Sequence, residues 1–246
     1  MIPHTDDGRV LFAIPWHNKV LVGTTDTPLN THSLEPRAIE DEIDFVLDTA
    51  GKYLKKQPER KDVLSVFAGL RPLAATNDST EKTKEISRSH KVIISESGLV
   101  SVIGGKWTTY RKMAEDAIDR IGGSPSRTAS LRLHGWTDES VGDSSWQRVY
   151  GSEAPQVRAL SQELLHPALP FSRGEVRWAA RQEMARTVED VLARRTRALF
   201  LDARASLEAA PTVARLLAEE LGYDSAWQQG QLDQFRSIAS GYIWPG

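Results

Sequence analysis

The chain contains no cysteine. Disulfides, thiolate metal sites and cysteine nucleophiles are therefore excluded, and the composition fits a reducing compartment. Net charge is equally scarce: 31 Lys and Arg stand against 33 Asp and Glu, leaving −2 over 246 residues. No global field pulls such a chain toward nucleic acid or an acidic membrane. No run of about 18 apolar residues occurs, so no membrane-spanning helix is expected. There is no H-E-x-x-H pattern among the six histidines, which removes the support for a zinc helix. G-x-G-x-x-G is absent as well, so a phosphate-cradling dinucleotide turn is not among these residues.

The rest of the composition is that of an ordinary soluble globular protein, 40% hydrophobic and 26% charged. Its length fits one large domain or two small ones. The start, Met1-Ile2-Pro3-His4-Thr5-Asp6-Asp7, has neither the basic flank nor the apolar stretch of a signal peptide. It reads as a segment taken from the middle of something longer.

Val10–Trp16 and Val20–Thr25 are β-rich runs around the polar turn His17-Asn18-Lys19, which predicts a hairpin. Ile39, Ile43, Val46, Leu47, Ala50 and Leu54 recur at helical spacing, with acidic residues early and lysines late, as a helix dipole favours. Val63–Gly69 has strand character. Lys91–Ser95 and Leu99–Ile103 predict a second hairpin around Glu96-Ser97-Gly98, and a helix follows from about Tyr110 to Ile121, closed by Gly122. From Gly123-Ser124-Pro125-Ser126 onward, helical periods dominate. One face carries Val157, Leu160, Leu164 and Leu165. A longer one carries Val176, Ala180, Met184, Val188, Val191 and Leu192. A third carries Val213, Leu216, Leu217 and Leu221, and Trp227, Phe235 and Ile238 mark a last helix. The expected organisation is a mixed α/β part over residues 1–122 and an α-helical domain over 123–246.

The most informative local feature is a strand, two glycines, Lys106, then a helix start: Gly104-Gly105-Lys106-Trp107-Thr108-Thr109. Glycines let backbone approach a ligand, and the first turn of a helix offers unpaired N–H groups and partial positive charge. Phosphate, carboxylate or a reduced flavin ring would suit that place. A tight β–α turn with a surface lysine explains the pattern equally well. It is no Walker loop, because Trp107 follows the lysine and the leading glycine is missing. Arg71 and Arg88 have the planar fork that grips phosphate or carboxylate; taken alone, each is more plainly a solvated arginine. The basic run Arg194-Arg195-Thr196-Arg197 follows Glu183, Glu189 and Asp190, which favours a salt-bridged helix face over nucleic acid.

Taken in order, Asp7-Gly8-Arg9-Val10 with Ile14-Pro15-Trp16, Gly23-Thr24-Thr25-Asp26-Thr27-Pro28, Gly69-Leu70-Arg71-Pro72-Leu73, Ile86-Ser87-Arg88-Ser89-His90, and Glu96-Ser97-Gly98-Leu99 running into Gly104–Asp116 resemble the FAD-dependent glycerol-3-phosphate dehydrogenases of the bacterial aerobic and mitochondrial types. Glu183-Met184-Ala185 and Glu189–Arg197 resemble that family's C-terminal helical domain, so the likeness spans nearly the whole chain. It implies a partial DAO-like FAD-dependent oxidoreductase region followed by the helical domain. It further implies oxidation of sn-glycerol 3-phosphate to dihydroxyacetone phosphate, with hydride passing to the flavin of FAD and electrons to quinone. Gly104, Gly105, Lys106, Trp107, Thr108 and Thr109 would flank the flavin. Arg71, Arg88 and Lys106 would bind substrate. No residue is assigned as proton acceptor. The family's Rossmann half is not in these residues, so the chain alone is expected to be inactive. Peripheral membrane association and a homodimer belong to the same expectation for the full-length protein, at the cytoplasmic or inner mitochondrial membrane; nucleic acid does not. A related glycerophosphate or amine oxidase, and a non-catalytic helical interaction module, are the rival readings.

Overall fold

The computed structural model describes residues 1–2, 5, 8, 10–71, 89–138 and 145–244. Two compact units divide the chain: Met1–Thr27, Ser33–Ala68 and His134–Gly246 form one, and Pro28–His32 with Gly69–Leu133 form the other.

In the larger unit, β1 (Phe12–Trp16) and β2 (Lys19–Gly23) pair antiparallel, with Phe12 opposite Gly23 and Trp16 opposite Lys19. That register leaves a two-residue turn, and His17 meets it with a left-handed backbone, φ 52°. One face of the hairpin packs on α1 (Glu40–Gly51), burying Ile2, Leu11 and Ala50 together. Glu40, Asp41 and Glu42 fill the first turn of α1, where carboxylates meet the positive end of the helix dipole.

The smaller unit holds a second antiparallel pair, β3 (Lys91–Ile94) and β4 (Val100–Ile103), with Lys91 opposite Ile103 and Ile94 opposite Val100. Gly98, at φ 84°, closes the loop by donating its N–H to the Ser95 carbonyl at 2.9 Å. After Gly104 and Gly105 comes α2 (Tyr110–Arg120), and Gly122 ends it at φ 80°.

The remaining helices complete the larger unit: α3 (Ser145–Tyr150), α4 (Ala154–Leu160), α5 (Arg173–Gln182), α6 (Ala198–Leu201), α7 (Ala203–Leu221) and α8 (Ser225–Ala239). Val176, Val188, Leu192, Val213, Leu217 and Phe235 are fully buried in their shared core. The Asp202 carboxylate caps α7 by accepting the Ala205 N–H at 3.0 Å, and Gly222 stops it at φ 76°.

Three expectations fail locally. Residues 63–69 join no sheet; their backbone groups are met by the helical part instead. Val66 N–H donates to the Tyr242 carbonyl at 2.9 Å, Ala203 N–H to the Leu64 carbonyl at 3.1 Å, and the Ser65 hydroxyl to the Leu199 carbonyl at 2.8 Å. Leu164 and Leu165 do not extend α4, which ends at Leu160; Leu164 bridges Ser172, and Leu165 N–H donates to the Phe171 carbonyl at 2.9 Å. The long face from Val176 to Leu192 is broken after Gln182, where Met184 turns left-handed at φ 58°. A new start follows. Thr187 Oγ1 accepts the Asp190 N–H and Asp190 Oδ2 accepts the Thr187 N–H, both at 3.0 Å, before a π-helix over Asp190–Arg195. Reciprocal capping by Thr187 and Asp190 outcompetes the continuous apolar period.

The basic run makes contacts within the fold. Arg194 donates to Asp190 at 2.9 Å and to Glu189 at 2.6 Å. Both Nε and Nη2 of Arg195 reach the Glu183 carbonyl, at 2.9 and 2.5 Å, which pins the break beside Met184. Arg197, at φ 59°, sets its guanidinium 5.8 Å from the Trp16 ring centroid. The salt-bridged reading of this run holds for Arg194.

Two glycines separate space from conformation. A Cβ on Gly174 would lie 2.4 Å from the Ser161 carbonyl oxygen and 2.6 Å from that of Val157, rigid backbone in both cases. Gly230, inside α8, has nothing within 4 Å. Gly174→Ala is expected to cost about 1–3 kcal/mol by overpacking, and Gly230→Ala to gain about 0.5–1 kcal/mol by helix propensity. Urea titrations of both variants check this; equal effects of the same sign would contradict the packing.

Glu175 is 3% exposed and completes the capping box of α5, accepting the Ser172 N–H at 2.6 Å and the Tyr150 hydroxyl at 3.2 Å. Burial pushes its carboxyl up from 4.5 to about 7, more than those hydrogen bonds hold it down. A carboxyl with a raised folded value keeps its proton better when folded. Its contribution is thus present at low pH and lost as pH rises from 4.5 to about 7. Glu175→Gln is expected to abolish a loss of up to about 3 kcal/mol over that window, read from denaturation at stepped pH. Parallel profiles for the two proteins would reject the assignment.

Candidate functional site

The glycine turn is the place where sequence and geometry meet. β4 delivers Gly104 at φ 72° and Gly105 at φ 87°, two consecutive left-handed residues that side chains with a Cβ resist. A Cβ on Gly105 would fall 2.5 Å from Met113 Sδ and 3.1 Å from His90 Cβ. The turn is therefore seated directly on the second turn of α2 and on the residue that precedes β3. Lys106 returns to extended backbone (φ −133°, ψ 149°), and Trp107–Thr109 make a 3-10 turn leading into α2. Both Thr109 N–H and Thr109 Oγ1 donate to the Lys106 carbonyl at 3.0 Å.

Lys106, Trp107, Thr108 and Thr109 are all exposed, Trp107 at 87%. The Trp107 and Tyr110 rings lie 5.7 Å apart and 30° from parallel. The site is an exposed helix start with a lysine and two exposed aromatic side chains. It suits an anion or an electron-rich planar ring.

Behind the turn, α2 neutralises its own charges. His90 Nε2 lies 2.7 Å from Asp116 Oδ2, and Lys112 Nζ lies 2.8 Å from Asp116 Oδ1. The Lys112 hydrogen bond, then that of His90, hold the Asp116 carboxyl below its usual range. Glu115 is held down by Arg111 and then Lys112, and Lys112 is raised by Asp116 and then Glu115. His90 is partnered across the fold. Its partner stands 26 residues away on another element, a relation no local spacing displays.

Of the residues singled out in the sequence, Gly104 through Thr109 form one continuous turn. Arg71 is exposed at the end of the described stretch 10–71, and Arg88 lies outside the described residues. The assignment of both arginines to a phosphate rests on the family resemblance. Elsewhere, a surface cleft of about 360 Å³ is lined by Thr187, Glu189, Gln231, Gln234, Phe235 and Ile238. Glu189 there is already paired with Arg194, so the cleft offers no acid–base chemistry. Among the described residues no His, Asp and Glu group is arranged to hold a metal, and no helix is long and apolar enough to cross a membrane.

Residues 98–228 match the family described as the C-terminal domain of alpha-glycerophosphate oxidase, and residues 1–111 match the FAD dependent oxidoreductase family. A probable mitochondrial glycerol-3-phosphate dehydrogenase of Caenorhabditis elegans is 34% identical, over 96% of this chain and 37% of its own length. The human mitochondrial glycerol-3-phosphate dehydrogenase is 37% identical with the same two coverages, 96% and 37%. The crystal structure of the glycerol-3-phosphate dehydrogenase from Bacillus halodurans complexed with FAD is similar at a TM-score of 0.76 and 29% identity, over 98% of this chain and 52% of that one. The chain thus spans well under half the length of these curated relatives.

Gly105→Ala tests the seating of the turn. It adds a strained left-handed backbone and displaces Met113, whereas Gly98→Ala, at φ 84° with nothing within 4 Å, adds the backbone strain alone. Each is expected to lose about 1–2 kcal/mol to strain, with a further loss for Gly105→Ala only. Denaturation followed by tryptophan fluorescence compares them, and equal losses would show that Met113 moves aside freely.

Proposed function

The chain belongs to the FAD-dependent glycerol-3-phosphate dehydrogenase family, and we propose that it supplies the flavin-flanking turn and the substrate-phosphate cations of an enzyme oxidising sn-glycerol 3-phosphate to dihydroxyacetone phosphate. The observation that carries this reading is the paired left-handed glycine turn leading into an exposed helix start with Lys106. The fit to a flavin is physical. Gly105 brings backbone where a Cβ cannot go, and Trp107 and Tyr110 are exposed at the helix start beside Lys106. When bound, FAD supplies the two-electron acceptor for the secondary alcohol.

In this proposal the chain's own residues orient and charge the site. The N–H groups of the first turn before α2, with Lys106, face the flavin edge where negative charge develops on reduction. Arg71 and Arg88 grip the phosphate of glycerol 3-phosphate through planar, bidentate forks. Lys106 also reaches the substrate side. Residues 1–122 form the oxidoreductase part and 123–246 the helical domain. Quinone is the electron acceptor, and the full-length enzyme is a homodimer that rests peripherally on a membrane. Support for these finer points is the family likeness and the mitochondrial names of the relatives.

One observation favours a second reading of the acceptor: the helical match is to the domain of an alpha-glycerophosphate oxidase. Transfer to oxygen would then produce peroxide.

Purified with excess FAD and freed of unbound flavin, this chain is expected to be colourless, since it holds no G-x-G-x-x-G turn. Fused to the N-terminal portion of the Bacillus halodurans enzyme that it leaves uncovered, it is expected to bind flavin and reduce a dye with sn-glycerol 3-phosphate but not with glycerol. Lys106→Met should lower that rate at least about tenfold by removing one electrostatic donor. A flavin-loaded fusion that ignores glycerol 3-phosphate sinks the proposal, and peroxide formation in air assigns the oxidase variant.

A further inference from the structure

The glycine turn makes few hydrogen bonds of its own. Thr109 binds back to Lys106, which shapes the turn locally but does not aim it. Its direction is set by what α2 leans on. Met113 of α2 fills the space that a Cβ on Gly105 would take, and His90 Cβ borders the same space at 3.1 Å. The His90 ring then reaches Asp116 on the next turn of α2, Nε2 to Oδ2 at 2.7 Å. The two side chains are 20% and 33% exposed, while Lys106 through Tyr110 are open. Lys112 takes the other oxygen of Asp116 at 2.8 Å, so the carboxylate is held from both sides.

We propose that His90 and Asp116 are positioning residues: their bond latches the start of β3 to α2 and so fixes the aim of the Gly104–Thr109 turn toward the flavin. The inference rests on the reading of that turn given above. Neither residue touches flavin or substrate in this assignment. Both act through the backbone between them. With a hydrogen on Nε2 the ring donates to the Asp116 carboxylate, whose other oxygen is held by Lys112.

Hydrogen–deuterium exchange on the whole 246-residue chain reads the latch without any cofactor. His90→Ala and Asp116→Asn are expected to speed exchange across residues 105–113 about tenfold, the worth of one charge-assisted hydrogen bond. His90→Gln, whose amide can still donate to Asp116, is expected to stay within about twofold of the wild type. Unchanged exchange in His90→Ala overturns the latch. Faster exchange spread evenly over both units overturns it too, because that is plain destabilisation. In the flavin-loaded enzyme, His90→Ala is expected to release flavin about tenfold faster, with His90→Gln again restored. Normal flavin release in His90→Ala overturns the link to the flavin even where the exchange effect is present. Failure of the family reading is separate: there the wild-type enzyme itself would not respond to glycerol 3-phosphate.

Discussion

Two consecutive left-handed residues decide where α2 begins, and the candidate site depends on that beginning. Backbone at φ 72° and then 87° reverses the chain sharply after β4, and only glycine does this twice in a row at low cost. Without the reversal, Lys106 would continue the strand and the helix start would point elsewhere. The missing side chain at Gly105 has a second effect, since Met113 and His90 close on the bare backbone. One residue thus satisfies a torsion and a packing demand together, and the N-terminal amides of the helix are aimed as a result.

The two units treat charge in opposite ways. In the helical core, arginines are consumed by the fold. Arg177 and Arg181 grip Glu220, Arg194 grips Glu189 and Asp190, and Arg195 caps a broken backbone at Glu183. In the run that looks basic in sequence, Arg194 is paired with carboxylates and Arg195 is bound to backbone. In the smaller unit α2 pairs its own charges away from the turn, while Lys106 stands exposed at the helix start. The strands differ from the helices as well. Phe12, Ile14, Ile93 and Ile94 are each more than 40% exposed on two-stranded pairs. Strands apolar on both faces are built to be covered on both faces.

Local chemistry was the legible part of the sequence. Both hairpins, α1, α2, α7 and α8 follow from period, turn residues and caps, because each is settled by groups within a few positions. The helical stretch between Val157 and Leu192 was less legible. Its apolar spacing continues across Gln182, yet the Thr187–Asp190 capping pair and the left-handed Met184 restart the chain. Residues 63–69 have strand composition but find their acceptors at Tyr242 and their donors at Ala203, more than 130 residues away, which no window along the chain contains. The site divides in the same manner. Gly104–Thr109 is readable because a turn is local. The His90–Asp116 bond is not, because two elements must first pack before it exists.

Exposure sets the scale of what the turn can do. A unit charge pair 4 Å apart is worth about 1 kcal/mol in water and about 4 kcal/mol where the effective dielectric falls to about 20. Lys106 and the residues that lead into α2 are exposed, so the lysine's field is weak as it stands. The exposed faces of Trp107 and Tyr110 show how it strengthens. A flat ring lying on them removes water from the same patch that it places against the cation and the amides. In the proposed flavin site the apolar and electropositive parts of the turn would act in sequence, with burial of the ring creating the low dielectric in which Lys106 becomes effective. On that proposal the open lysine and the two open aromatics belong to one device, seated on α2.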